Sequence, residues 1–183
     1  MFDDALKEIS TSLERITKSG LLRAYGLIGG LACAVHGVPR STEDIDFVVI
    51  PTTKDSNKIA TALGADFHPG GIDDPLRGVF HVSIPGRGTP VPIQLIVLPA
   101  RWNEVITKGL HAFPVLGSQV PVVSWETLIL LKLYGGAPQD LLDVETIIQI
   151  QRPSIDAWTG LSALARSVGV SDAFNGVQQK WQK

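Results

Sequence analysis

Phe2, Leu6, Ile9, Leu13 and Ile16 recur every three to four positions, the period of a helix with one apolar face. Residues 3–18 are therefore expected to form an amphipathic helix closed by Gly20. A short strand at Ala24–Ile28 follows, then a turn at Gly29-Gly30 and a helix from Leu31 to His36 that Gly37 and Pro39 end. Ile45–Ile50 reads as a strand and Asn57–Leu63 as a helix stopped by Gly64. Asp66–Arg77 is rich in Gly, Pro and Asp without a period, which predicts a loop over a site. Phe80, Val82 and Ile84 alternate, Pro85–Pro90 has turn composition, and Val91–Leu98 returns, so a hairpin is expected. Gly86-Arg87-Gly88 inside that turn is too short for a dinucleotide fingerprint.

A helix at Arg101–Lys108 precedes a second hairpin over Phe113–Val123, expected to turn at Gly117-Ser118. Ser124 suits the N-cap of a helix Trp125–Tyr134, which Gly135-Gly136 breaks, and Pro138 suits the start of Gln139–Ile150. Residues 154–167 and 171–181 supply two more helical segments. This order predicts an α/β (α+β) fold, a mixed sheet flanked by helices with a C-terminal helical segment. Residues 1–123 would hold the sheet and 124–183 a helical region packed on it, together one compact unit.

Composition agrees with a globular chain: 183 residues, 44% hydrophobic and 19% charged. A net charge of -2 provides no whole-molecule field for nucleic acid, although a local basic patch would suffice for an RNA end. Cys33 is the sole cysteine, which excludes an internal disulfide and a Cys-rich zinc site, and it reads as a small buried hydrophobe. The start Met1-Phe2-Asp3-Asp4 lacks the basic and apolar regions of a signal peptide, and no apolar run has the length of a membrane span. A soluble, cytoplasmic protein without a membrane partner is the expectation.

Two local features carry chemistry. Side chains alternate along a strand, so Asp44 and Asp46 share one face at the entrance of Ile45–Ile50. Adjacent anions repel, a cost that turns favourable when a divalent cation sits between them. Gly29-Gly30 lies between a strand and a helix, where absent side chains let phosphate oxygens approach backbone N–H groups. Singly, these read as a solvated strand start and a tight turn. Together they are the arrangement phosphoryl chemistry needs, because Mg2+ must bridge phosphates and protein.

Leu27-Ile28-Gly29-Gly30, Ala32, His36-Gly37, Pro39-Arg40, Thr42 and Asp44-Ile45-Asp46-Phe47 resemble the signature of the DNA polymerase beta-like nucleotidyltransferase superfamily. The form with His-Gly, Pro-Arg and Thr between is similar to bacterial nucleotidyltransferases related to the toxins of type IV toxin-antitoxin systems. A second block agrees in order: Val120-Pro121-Val122-Val123-Ser124, Leu128-Ile129, Leu131-Lys132, Gln139-Asp140-Leu141 and Asp143-Val144. The resemblance covers roughly residues 24–150.

That resemblance implies an enzyme that transfers a nucleoside monophosphate from an NTP to a hydroxyl. Asp44 and Asp46 would hold Mg2+ (or Mn2+), Gly29 and Gly30 would cradle phosphates, and Lys132 would neutralise the leaving pyrophosphate. Arg40 and Thr42 would contact phosphate or nucleotide, and Asp140 and Asp143 would support Lys132 or the acceptor side. Plainer readings stand beside these: Lys132 as a snorkelling surface lysine, Arg40 as a surface cation, and Asp140 and especially Asp143 as complements to a helix dipole. His36 is expected to pack or hydrogen-bond at its helix end. Trp102, Trp125, Trp158 and Trp181 are expected in the core or at an interface.

Two positions depart from the resembled pattern. Gln94, in Ile93-Gln94-Leu95-Ile96, stands where a third carboxylate is implied, and an amide serves a metal and a proton poorly. Ala137-Pro138-Gln139-Asp140 replaces Arg-Pro-Lys-Asp, removing two cations. The acceptor is open between a tRNA 3′ end, with a cognate antitoxin as partner, and a small molecule, as for antibiotic adenylyltransferases. The alternative is a nucleotide- or partner-binding module of the same fold that has lost turnover, with Gln94 as its mark.

Overall fold

The apolar stripe of the N-terminal segment is buried as its period requires. In the computed structural model, which describes residues 2–84 and 90–181, α1 (Phe2–Lys18) turns Ala5, Leu6, Ile9, Leu13 and Ile16 inward and packs on β1 (Leu22–Leu27). Gly20 ends the helix region with φ +81°, a conformation that glycine adopts without steric cost. The chain continues through α2 (Gly29–Val35), β2 (Ile45–Pro51), α3 (Ser56–Leu63), β3 (Asp66–Pro69), β4 (Gly78–Ile84) and β5 (Val91–Val97). After a 3-10 turn at Ala100–Trp102 come α4 (Asn103–Lys108), β6 (Leu110–Val115) and β7 (Ser118–Val123). Helices α5 (Trp125–Gly135), α6 (Pro138–Gln151), α7 (Ile155–Val168) and α8 (Ser171–Trp181) complete the described residues.

The strands form one mixed sheet in the order β3-β4-β5-β2-β1-β7-β6. β2 is antiparallel to β1 and parallel to β5, and β1 is parallel to β7. Alternation decides what each face does. Phe47, Leu95 and Phe80 lie in register across β2, β5 and β4 and are fully buried, forming the centre of one face. On the other face α2 covers β2 and packs against α5, but the outer strands are uncovered, leaving His81 and Ser83 of β4 exposed.

Four expectations change. Part of the segment expected to be a loop is the edge strand β3, paired with β4 from Asp66↔His81 to Pro69↔Gly78. Four residues are too few to show alternation, and Pro69 suits an edge. The second hairpin turns at Leu116-Gly117, with φ +46° and +79°, so Ser118 is already in β7, opposite Val115. Two consecutive positive φ values are what a type I′ hairpin turn demands. β6 begins at Leu110, earlier than expected, and α2 begins at Gly29. Of the expected Pro85–Pro90 turn, residues 85–89 lie outside the described residues.

His36 Nε2–H donates to Val123 O at 2.7 Å and the ring meets Phe113 edge-on, as expected for a packed, hydrogen-bonded histidine. Trp102 and Trp158 are buried, and Trp125 and Trp181 pack against the core. Among the described residues no helix is long and apolar enough to cross a membrane.

Candidate nucleotide and metal site

The two blocks singled out in the sequence meet at one cavity of about 310 Å3. It is lined on its polar side by Gly29, Gly30, Arg40, Thr42, Asp44, Asp46, Lys132 and Asp140. Its apolar side is built by Leu76, Ile96, Leu98, Leu128, Leu131 and Tyr134. Leu76 comes from the segment after β3, so the part of the expected loop that remains irregular does border the site. Tyr134 holds it there by donating to Pro75 O at 2.6 Å, while Arg101 donates to the same phenol oxygen at 3.1 Å.

Asp46 is fixed by β2 and by the glycine turn together. Ile28 N–H donates to Asp46 O at 2.9 Å, which draws the turn over the strand. Gly29 has φ +66°, and a Cβ there would collide with the Asp46 carboxylate. Glycine is thus required for the approach of Asp46, beyond any room it leaves for phosphate. A Cβ on Gly30 would come 2.7 Å from Thr42 Cβ. Thr42 in turn donates to Asp44 Oδ1 at 2.7 Å, so its hydroxyl orients a carboxylate.

This pair is electrostatically uncomfortable. Burial pushes the Asp46 carboxyl up, the neighbouring Asp44 charge adds to it, and Lys132 and Arg40 offset them only in part, leaving a pKa of about 6. The carboxylates of Asp44, Asp46, Asp140 and Asp143 outnumber the cations of Arg40 and Lys132 by two. A divalent cation matches that deficit. Mg2+ is commonly held by one or two carboxylates with phosphate and water completing its sphere, so this donor set fits. Among the described residues no cluster of three or more His, Cys, Asp or Glu forms a fuller protein cage.

Lys132 is no snorkelling lysine: its side chain is 7% exposed, and Nζ lies 2.8 Å from Asp140 Oδ1 and 2.7 Å from Asp143 Oδ2. Burial alone would lower the ammonium pKa, but the hydrogen bonds to Asp140 and Asp143 outweigh it and raise it. Arg40 is likewise no free surface cation, because Nη1 bonds Asp143 Oδ2. Asp140 also accepts from Ala137 N–H at 3.3 Å, and a Cβ on Gly135 would come 2.8 Å from Asp140 Oδ2.

Asp143 corrects its dipole reading. It is 2% exposed and joins Lys132, Arg40, Gln139 (3.1 Å) and the Cys33 thiol (3.8 Å). Burial works against its charge, yet the bonds from Lys132 and Gln139 and the nearby cations hold its pKa below the usual carboxylate range. Its place near a helix start hid this role, since an acidic residue there already has a local explanation. Its four-residue spacing from Gln139, and the arginine and lysine of the two blocks, are the signals that point to it. Cys33 is buried, and burial pushes its thiol up to about 11, as suits an inert hydrophobe.

Gln94 sits on β5 in register with Asp46, half-buried. Its register with Asp46 puts the Gln94 side chain on the same face of the sheet as that carboxylate. A larger groove of about 550 Å3 runs between α4 and α7, where Glu104 pairs with Lys108 at 2.6 Å.

No family model matches the chain, and no curated protein matches it. Solved structures do. An antigenic nucleotidyltransferase-like protein from Paracoccidioides brasiliensis superposes with TM-score 0.52 at 18% identity, covering 94% of this chain and 93% of the other. ANT(2″)-Ia, solved in complex with adenylyl-2″-tobramycin, superposes with TM-score 0.52 at 14% identity, covering 96% and 98%. At such identities the likeness is one of fold: a mixed sheet flanked by helices, of the nucleotidyltransferase type.

Proposed function

We propose that this chain is a metal-dependent nucleotidyltransferase, moving a nucleoside monophosphate from an NTP to a hydroxyl acceptor. The observation that carries the reading is the Asp44–Asp46 pair, half-buried together on one face, short of positive charge, and pressed against a glycine turn. Asp44 and Asp46 would hold Mg2+ or Mn2+, which supplies charge neutralisation and alignment of the triphosphate when bound. Thr42 keeps Asp44 in place, and the open backbone at Gly29-Gly30 receives phosphate. Lys132 and Arg40 present positive charge along the same wall, where it offsets the charge of departing pyrophosphate. The apolar wall of Leu98, Leu128, Leu131 and Tyr134 suits the nucleobase and excludes water from it.

Two acceptor classes fit the family resemblance. The fold likeness to ANT(2″)-Ia supports a small polyhydroxylated acceptor, while the finer likeness to type IV toxins, with a tRNA 3′ end and an antitoxin partner, rests on the sequence motifs. The test is label transfer from each α-labelled NTP, with Mg2+ or Mn2+, to total tRNA, to aminoglycosides such as tobramycin, and to the protein itself. Transfer that disappears in Asp46→Asn supports the reading. A second reading, a nucleotide-binding module without turnover, is favoured by Gln94 beside Asp46. It is supported instead if NTP binds and no acceptor is labelled.

A further inference from the structure

The uncovered face of the outer strands continues directly from Asp46. Strand register aligns one row across the sheet: Asp46 on β2, Gln94 on β5, His81 on β4 and Asp66 on β3. Residues paired in register project to the same face. His81 is exposed there, and its ring meets that of His68 from β3 edge-on, with centroids 4.9 Å apart. Ile96, next but one to Gln94, already lines the cavity, so the row begins where the nucleotide would end.

We infer that His81 is the proton acceptor for the attacking hydroxyl, doing from β4 what a carboxylate at position 94 would do from β5. This rests on the transferase reading above. Neighbouring strands are about 4.8 Å apart. A hydroxyl placed over Gln94 is one strand from Asp46 on one side and one strand from His81 on the other. β5 alone separates His81 from the carboxylate pair, but two inter-strand spacings are too far for it to share their cation, so an imidazole nitrogen is left to take a proton. The Gln94 amide both donates and accepts, which suits it to orient the hydroxyl. The acceptor O–H gives its proton to the imidazole, its oxygen bonds the α-phosphorus, and the bond from that phosphorus to the bridging oxygen breaks. Pyrophosphate leaves with the electron pair, and the imidazolium returns its proton to water. His68, Asp66 and Gln94 face His81 from the flanking strands, with Asp46 and Asp44 beyond.

Pyrophosphate release from ATP with Mg2+ tests this, with water, glycerol, tobramycin and total tRNA offered as hydroxyl donors, alongside equilibrium binding of a fluorescent ATP analogue. His81→Ala is expected to lower release by about a hundredfold, the usual scale of a positioned base, with nucleotide binding unchanged. Adding Gln94→Asp to His81→Ala is expected to restore release, because the acid then stands beside Asp46. An exposed histidine tolerates replacement, so the melting temperature should hold. Release by His81→Ala equal to wild type, or loss that Gln94→Asp fails to rescue, overturns the assignment of His81. A wild type that binds the analogue but releases no pyrophosphate with any donor overturns the transferase reading, and this assignment with it.

Discussion

Asp46 is held where a carboxylate is least comfortable, half-buried beside Asp44 with too little positive charge to balance it. Its pKa rises from the usual 3.8 to about 6, so between those values the folded chain binds the proton that the unfolded chain has released. Stability therefore falls as pH rises through that window, and near neutrality the ionised group costs about 3 kcal/mol at about 1.4 kcal/mol per pKa unit. Asp143 is the opposite case, a buried anion that is fully used. Asp143→Asn leaves Lys132 and Arg40 facing each other without their shared partner and is expected to destabilise by about 3–5 kcal/mol in urea unfolding. Asp140→Asn, at a more exposed carboxylate, should cost clearly less. The pair at Asp44 and Asp46 was legible in sequence because strand alternation alone puts both on one face. Asp143 was legible only through the resemblance, as a support for Lys132 weighed against a helix-dipole reading, because its partners on α2, the following loop and α5 are connected by no local period.

Elements explain which of these placements survive substitution. Gly29→Ala forces a side chain into left-handed backbone and into the Asp46 carboxylate. It should lower the melting temperature and weaken Mn2+ binding, measured by titration, even though no ligand is removed. The hairpin turn provides a contrasting case. Leu116 holds φ +46° while 49% exposed, a conformation that Asn tolerates far better. Leu116→Asn is expected to stabilise by about 0.5–1 kcal/mol in the same unfolding assay, with no effect on nucleotide binding. Helix α1 and strands β4 and β5 could be read from periodicity, since each buries one regular face, and β2 from its continuous apolar run Phe47–Ile50, buried on both faces. β3 could not: it is an exposed edge of four residues, and what makes it a strand is the ladder to β4 rather than any pattern of its own.

For the whole molecule, the sheet order places β2, the strand of the candidate site, between β1 and β5 and away from both edges. Amide exchange should accordingly be slowest in β1, β2 and β5 and fastest in β3 and residues 70–77. Protection of the latter should rise on Mg–ATP binding, because Leu76 and the Tyr134–Pro75 bond border the cavity. A site that costs stability until its cation arrives makes a sharper demand, which thermal melting near pH 7 can meet. In EDTA, Asp46→Asn should melt several degrees above wild type; with Mn2+ and ATP the wild type should rise and the variant should not, so that the order narrows or reverses. A variant that melts below wild type in EDTA, or that gains as much from Mn2+ and ATP as wild type does, would contradict a metal-nucleotide site at Asp44 and Asp46.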